Sequence, residues 1–152
     1  ASGDSVIRVG GSTVVEMTET KHRVEDALEA VKAAQKEGVI AGGGLALLNT
    51  VKNLKVKTEN KDQARGVEVL IKACEAPIRQ MATNCGKSED IVVNSLSRKS
   101  PQTGYDFRND KILNMVEAGI IDPVKVTKCA LKNAVSAAGT LLTTNYAVIE
   151  VE

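Results

Sequence analysis

The sequence predicts a mainly α-helical protein with small β elements near its two ends. Apolar residues recur at the three- and four-residue spacing of an amphipathic helix in most of the chain. Of the 152 residues, 43% are apolar but only Tyr105, Phe107 and Tyr146 are aromatic. The core must therefore be built from Ala, Val, Leu and Ile, which suits close helix packing. The dipeptide Asp122-Pro123 adds a clear helix-start signal.

Charge and cysteine usage exclude several classes of protein. With 20 basic and 19 acidic residues, no global field attracts nucleic acid or an anionic membrane, so we expect neither partner. The lysine-rich stretch Lys55–Gln63 lacks aromatic residues and is interpreted as a solvated loop. No signal peptide is recognisable, and no apolar run approaches the roughly 18 residues of a membrane-spanning helix. Three cysteines without a CxxC pair predict buried thiols in a reducing compartment.

The first part of the chain is expected to form a hairpin followed by a helix. Val6–Val9 and Thr13–Met17 have the composition of short strands, and Gly10-Gly11 between them suits a tight turn. Apolar residues at helical spacing then predict a helix over Lys21–Lys36. Gly38 is placed to end this helix, since glycine adopts the left-handed conformation common after a helix.

Three helices are predicted in the middle of the chain. The first covers about Gly43–Leu54. A long helix follows over Gln63–Asn84, with Pro77 inside it. Ser88 is placed to cap a short helix over Glu89–Leu96, whose first turn is acidic.

The last third should contain a loop, two helices and a strand. Arg98–Asp106 is expected to be a loop, with a short hairpin in it or just after it. Asp110–Ala118 is predicted to be a short helix. The next helix should begin at Asp122-Pro123, with Asp122 as its N-cap, and run to about Thr144. The alternating stretch Tyr146–Val151 predicts a C-terminal strand.

The glycine triplet Gly42–Gly44 stands where a helix is about to begin. Glycine is less favourable in a helix than alanine by about 1 kcal/mol, so three in succession need a reason. A glycine-rich helix entry lets backbone groups approach an anion or a ribose. The stretch is neither a Walker A loop nor a GxGxxG fingerprint, because Leu47 occupies the third glycine position. Close helix packing and a nucleotide contact both remain open on the residues alone.

Four motifs occur in order along the chain and together carry a family resemblance. They are RVEDAL (23–28), EGVIAGGGLALL (37–48), EAPIRQMATNCG (75–86) and GIIDPVKVTKCAL (119–131). In this order and spacing they closely resemble the C-terminal third of a group I chaperonin subunit, the GroEL type. The resemblance covers essentially the whole chain.

The resemblance implies a division into two domain segments. Residues 1–36 are similar to the returning arm of the intermediate domain, with 1–4 as the hinge from an apical domain. Residues 37–152 are similar to the C-terminal half of the equatorial ATP-binding domain, an incomplete helical bundle. The chain would then be a fragment without the family's phosphate-binding loop and magnesium-holding acid.

The same resemblance implies roles for individual residues. Asp26 matches the catalytic aspartate that orients the water attacking the γ-phosphate. Gly43 matches the glycine whose backbone contacts the ribose. Asp122 matches the acid that accepts hydrogen bonds from the ribose hydroxyls, and Ile120 is expected to pack near the nucleotide.

The adenine side and the hinge complete the implied site. The adenine-contact region maps to Asp106, Phe107 and Arg108, where the sequence departs from the small residues of many family members. Gly38 and Gly42 are the expected hinge positions. No metal-ligand set is expected within this chain.

The implied function is ATP-driven protein folding. The intact subunit would use ATP with Mg²⁺, and K⁺ where required, in a double seven-membered ring with a co-chaperonin and unfolded client proteins. The fragment is expected to hold no cofactor, to be inactive as an ATPase and to form a small non-ring oligomer. The expected location is the bacterial cytoplasm, or alternatively the mitochondrial matrix. The competing interpretation is a self-standing helical interaction module without nucleotide chemistry.

Overall fold

A computed structural model describes residues 3–52 and 54–149. Helices make up 57% of the described residues, which confirms the mainly α-helical prediction. The elements are α1 (Val14–Glu37), β1 (Val39–Ala41), α2 (Leu45–Lys52), α3 (Lys61–Asn84), α4 (Glu89–Leu96), β2 (Thr103–Asp106), β3 (Lys111–Asn114), β4 (Ile121–Pro123) and α5 (Val124–Leu142). β1 pairs with β4, and β2 pairs with β3.

The chain forms two compact units. Unit 1 comprises the described residues up to Gly38 and from Pro123 onward, and in it α1 packs against α5. Unit 2 comprises residues 39–122, with α2, α3, α4 and the β2–β3 hairpin.

Unit 2 has a closed apolar core. Helices α2, α3 and α4 each direct one apolar stripe into it, and the turn after β3 adds a methionine. The core residues are Leu45, Leu48, Ile78, Ala82, Val92, Leu96 and Met115. Each of them is at most 2% exposed. This core fixes the start of α2 and the hairpin in one body, because both contribute side chains to it.

The predicted N-terminal hairpin is wrong. Residues 3–11 have no regular secondary structure, and α1 begins at Val14, seven residues before the predicted helix. Thr13 caps α1, since its Oγ1 accepts a hydrogen bond from the N–H of Glu16 at 3.1 Å. The Glu16 carboxylate in turn accepts one from the N–H of Ser12 at 2.7 Å. These reciprocal bonds resemble a capping box, and they place Val14 and Val15 in a helix despite their β-branched side chains.

Three predictions in the last third also need correction. Asp110–Ala118 is not a helix, because β3 and a turn over 115–119 occupy it. Asp122 is not an N-cap, since it lies in β4, and α5 starts at Val124 with Pro123 in the N-cap position. Residues 146–149 of the predicted C-terminal strand have no regular structure, and its remaining residues lie outside the described ones.

The other predicted elements are found. α3 and α4 have the predicted ends to within two residues, and the hairpin foreseen near Asp106 is β2–β3, with Asp106 opposite Lys111. Of the three cysteines only Cys74 is buried, whereas Cys85 and Cys129 are exposed, so the prediction of buried thiols holds for one. Among the described residues, no helix is both long and apolar enough to cross a membrane.

Candidate functional site

The glycine turn 42–44 connects β1 to α2. The N–H of Gly42 donates a hydrogen bond to the carbonyl oxygen of Ile120 at 2.9 Å, which ties this turn to the segment entering β4. Gly43 and Gly44 have φ angles of +66° and +72°. Residues other than glycine rarely adopt this left-handed backbone conformation, so the turn favours glycine at both positions.

Packing closes around all three glycines, but with different neighbours. A Cβ atom on Gly43 would lie 2.8 Å from Cε of Met115. One on Gly44 would lie 3.1 Å from Cβ of Ile78. Gly43 therefore packs closely against the turn after β3, and Gly44 against α3. The ribose contact expected of Gly43 stays a prediction.

Gly42 faces a carboxylate instead. A Cβ atom at Gly42 would lie 3.1 Å from the Ile120 carbonyl oxygen and 3.3 Å from Oδ1 of Asp122. The Asp122 side chain is exposed, and within residues 3–52 and 54–149 no donor hydrogen bonds to it. Ile120 is half-buried against the core of unit 2. Gly42 is itself buried, so the turn packs its backbone against Ile120 beside an exposed carboxylate.

Asp106 has a local structural role. It is 6% exposed, and its Oδ1 accepts the backbone N–H groups of Arg108 at 2.9 Å and Asn109 at 3.2 Å. Its Oδ2 accepts the side-chain amide of Asn109 at 2.7 Å. The hydrogen bond from the Asn109 amide, assisted by the two backbone N–H groups, holds the pKa of Asp106 below its ordinary value. Both oxygens are used to close the hairpin turn.

The two neighbours of Asp106 in the predicted adenine region differ in exposure. Phe107 is half-buried against the core, and its ring centroid lies 5.0 Å from that of Tyr105 with the planes tilted by 44°. Arg108 is exposed. An adenine base bound at the predicted region would therefore contact the Arg108 side chain and the backbone of the turn. The adenine role of these residues stays a prediction.

Asp26 lies on α1, on an exposed face of unit 1. Exposed ion pairs on the same helix join Lys21 to Glu25 at 3.6 Å and Lys32 to Glu29 at 2.7 Å, and neither includes Asp26. Gly43, Ile120, Asp122 and the adenine region belong to unit 2. The structure therefore brings Gly42, Ile120 and Asp122 together within one unit, and the role of Asp26 stays a prediction.

The two predicted hinge glycines have different surroundings. Gly38 follows α1 with a φ of +81°, and a Cβ atom there would meet nothing within 4 Å. It is the last residue of unit 1 before unit 2 begins. Gly42 lies inside unit 2 with close backbone contacts. Hinge motion at either position stays a prediction.

Sequence reasoning missed a charged cluster beside the hairpin. Nζ of Lys87 lies 2.6 Å from Oδ2 of Asp110, and the Tyr105 hydroxyl donates to Oδ1 of the same carboxylate. The signal was present in the run DFRND (106–110), whose Asp and Asn residues are typical of a turn. No group of three or more His, Cys, Asp or Glu residues that could bind a metal occurs in the described part of the chain.

Comparison with known proteins identifies the family. The model of the TCP-1/cpn60 chaperonin family matches residues 2–152. The crystal structure of a group III chaperonin in the open state matches with a TM-score of 0.79 and 26% sequence identity. That match covers 92% of this chain and 30% of the chaperonin chain, so this chain spans less than a third of its length. Group I membership is not distinguished by these matches. The chain belongs to the TCP-1/cpn60 chaperonin family.

Proposed function

We propose that this chain is part of an ATP-dependent chaperonin subunit of the GroEL type and supplies the ribose side of its nucleotide site. Family membership and the 30% coverage of the matched chaperonin support this proposal. The intact subunit would assemble into rings and use ATP to fold client proteins with a co-chaperonin. The remaining parts of the nucleotide site would come from other segments of that subunit.

The approach of Asp122 to Gly42 is the observation that carries the proposal. An exposed carboxylate such as that of Asp122 can accept hydrogen bonds from the two hydroxyls of a ribose. Any side chain at Gly42 would crowd this carboxylate, since even a Cβ atom would come within 3.3 Å of it. Glycine at this position therefore leaves the Asp122 carboxylate free of a neighbouring side chain from the turn.

Asp26 would act on the water and leave nucleotide binding to other groups. Phosphoryl transfer depends on positioning and on neutralising the charge of the phosphates, which Mg²⁺ and backbone N–H groups normally supply. A carboxylate in the role of Asp26 orients the attacking water. Since this chain carries no recognisable phosphate loop, we expect the Mg²⁺ and phosphate contacts, and any K⁺, from the rest of the subunit.

The division of roles can be tested in the full-length subunit. Asp26→Ala should slow ATP turnover by roughly a hundredfold or more while equilibrium ATP affinity changes by less than about twofold. Asp122→Ala should weaken ATP affinity by about tenfold, because a charge-assisted hydrogen-bond acceptor is lost. Asp62→Ala, on the exposed first turn of α3, is the matched control. Loss of affinity in Asp26→Ala in proportion to its rate would contradict the assignment.

The chain alone should not hydrolyse ATP. It would hold the water-orienting acid and the ribose contact without the groups that neutralise the phosphates. Phosphate release by the 152-residue chain, measured with and without Mg²⁺, tests this expectation. Steady Mg²⁺-dependent release that Asp26→Ala abolishes would contradict it.

A specific observation favours interaction as a second function of unit 1. Neither α1 nor α5 buries a single described side chain, and both expose large apolar residues such as Leu28, Leu141 and Leu142. Exposed apolar patches of this kind mark interaction surfaces. We propose that the chain alone forms a small non-ring oligomer. Sedimentation at tens of micromolar would reveal it, and a clean monomer would contradict the proposal.

A further inference from the structure

Asp110 adopts a left-handed backbone conformation, which apart from glycine is found mainly at Asn and Asp. Its φ is +55°, and it is the one non-glycine residue with a positive φ in the described part of the chain. It is the last residue of the four-residue turn that joins β2 to β3. Aspartate tolerates this conformation in turns.

Two side chains from different elements contact the Asp110 carboxylate. Lys87, in the connection between α3 and α4, lies 2.6 Å from Oδ2 of Asp110. Tyr105, in β2, donates its hydroxyl to Oδ1. The Lys87 ammonium first, and the Tyr105 hydroxyl second, hold the pKa of Asp110 below its ordinary value. The carboxylate therefore fastens the end of the hairpin turn to the segment after α3.

The contact between Lys87 and Asp110 should contribute little to the free energy of unfolding, but it acts directly on the position of the turn over 107–110. The Asp110 side chain is 56% exposed and that of Lys87 40%, so solvent screens their attraction. The turn itself is closed from its other end by Asp106. With Asp110 in contact with Lys87 and Tyr105 as well, side-chain contacts hold both ends of the turn.

Tyr105 connects this attachment to the candidate site. Its ring contacts that of Phe107, and its carbonyl oxygen lies 3.8 Å from where a Cβ atom on Gly43 would be. A shift at Asp110 thus reaches the predicted adenine side through Phe107 and the glycine turn through the Tyr105 backbone.

We infer that Asp110 is a positioning residue for the base side of the nucleotide site: with Lys87 and Tyr105 it fixes the turn over 107–110 against the rest of unit 2. The inference rests on the proposed function. Its ligand is the base of an adenine nucleotide, and Asp110 acts on that base only through the turn.

The structural half of the inference can be measured without nucleotide. In the 152-residue chain, Asp110→Asn removes the charge but keeps a residue that tolerates positive φ. Amide hydrogen exchange at Arg108 and Asn109 should become faster by roughly three- to tenfold, while the global unfolding midpoint stays within error. Unchanged exchange at both amides would overturn the inference whether or not the chain binds nucleotide.

The functional half uses the full-length subunit. Asp110→Asn and Lys87→Met should each weaken ATP binding by about three- to tenfold, the range that corresponds to the net contribution of one typical hydrogen bond. They should also reduce the preference for ATP over GTP. Lys87→Arg should restore affinity, and the double variant should lose no more than either single one, because both act through the same contact. Asp62→Asn is the matched control.

These measurements distinguish a failure of the positioning role of Asp110 from a failure of the proposed function. Faster exchange at the turn with unchanged ATP affinity would overturn the positioning role and leave the proposed function intact. A wild-type subunit that fails to bind ATP would overturn both.

Discussion

Helices α1 and α3 are equally long, at 24 residues each, but differ completely in burial. α3 buries Cys74, Ile78 and Ala82 in the core of unit 2, whereas α1 in unit 1 buries no described residue. Both carry apolar residues at helical spacing. Periodicity in a sequence therefore shows which face of a helix is apolar, and the neighbouring elements decide whether that face is covered.

The same contrast extends to the two units as wholes. Every buried side chain among the described residues lies in unit 2. In α1, Leu28 is 43% and Val31 56% exposed. The two units therefore differ in how far their apolar side chains are covered.

The largest expected effect is a difference in unfolding free energy between substitutions at two leucines, one in each unit. Leu48→Ala in unit 2 should lower the free energy of unfolding by about 2–5 kcal/mol, because it leaves a cavity in a closed core. Leu28→Ala in unit 1 should lower it by less than about 1 kcal/mol. Urea unfolding followed by circular dichroism measures both. Equal losses would mean that Leu28 is covered in solution, and the contrast between the units would fail.

The second comparison uses two glycines. Gly43→Ala should destabilise unit 2 by about 1–3 kcal/mol, because alanine is strained at positive φ and its Cβ would meet Met115. Gly139→Ala, inside α5 with nothing within 4 Å, should stabilise unit 1 by about 0.5–1 kcal/mol. Thermal unfolding of both variants tests the opposite signs. A stabilising Gly43→Ala would show that the turn relaxes easily.

The third comparison is the response to acid. The pKa of Asp106 is lowered in unit 2, chiefly by the Asn109 amide, and that of Glu29 is lowered in unit 1 by Lys32. A carboxyl with a depressed pKa stabilises the fold above its unfolded pKa, about 4, and this contribution is lost as pH falls through the folded pKa. Stability should therefore decline below about pH 4.

Substituting Asp106 and Glu29 one at a time shows how much each unit contributes to the loss of stability at low pH. Asp106→Asn should lower stability at neutral pH and flatten the decline below pH 4, since Asp106 is buried and hydrogen-bonded three times. Glu29→Gln should change the profile little, because its pair with Lys32 is exposed and screened. An equal flattening in both variants would contradict the assigned difference in burial.

The smallest effect is expected at an ion pair of unit 1. Nζ of Lys128 on α5 lies 3.0 Å from Oε2 of Glu37 on α1. Lys128→Met should lower the free energy of unfolding by about 0.2–1 kcal/mol, less at high salt. Arg79→Met in unit 2 should lower it more, because Arg79 joins Glu75 and Asp90 at once. A larger loss at Lys128 would show that this pair organises unit 1.

The sequence predicts an element well where several local signals agree. α3 has a long apolar stripe and is flanked by Asn60 and Gly86, which are typical of loops. α4 has an acidic first turn. The predicted ends of both helices agree with the structure to within two residues. The N-terminal hairpin was wrong because β-branched residues and Gly10-Gly11 outweighed the pairing of Thr13 with Glu16, which starts the helix earlier.

The candidate site was only partly predictable for a different reason. Gly42 and Asp122 are about 80 positions apart, and no pattern in one sequence reports that a glycine faces a particular carboxylate. The motifs identified both neighbourhoods through the family resemblance. They did not reveal that Asp106 is used internally, because this depends on how a four-residue turn folds back on its own side chains.

The short turn closed by Asp106 also has a consequence for the order of folding. A hairpin with a four-residue turn can form within about 1–10 μs, because few residues must be ordered to join its strands. The bond from Gly42 to Ile120 must close a far longer loop, at a greater loss of chain entropy. The hairpin should therefore be an early folding event and the Gly42–Asp122 contact a late one. A chain that stalls on its folding pathway would have the β2–β3 turn formed and the contact between Gly42 and the segment before β4 still open.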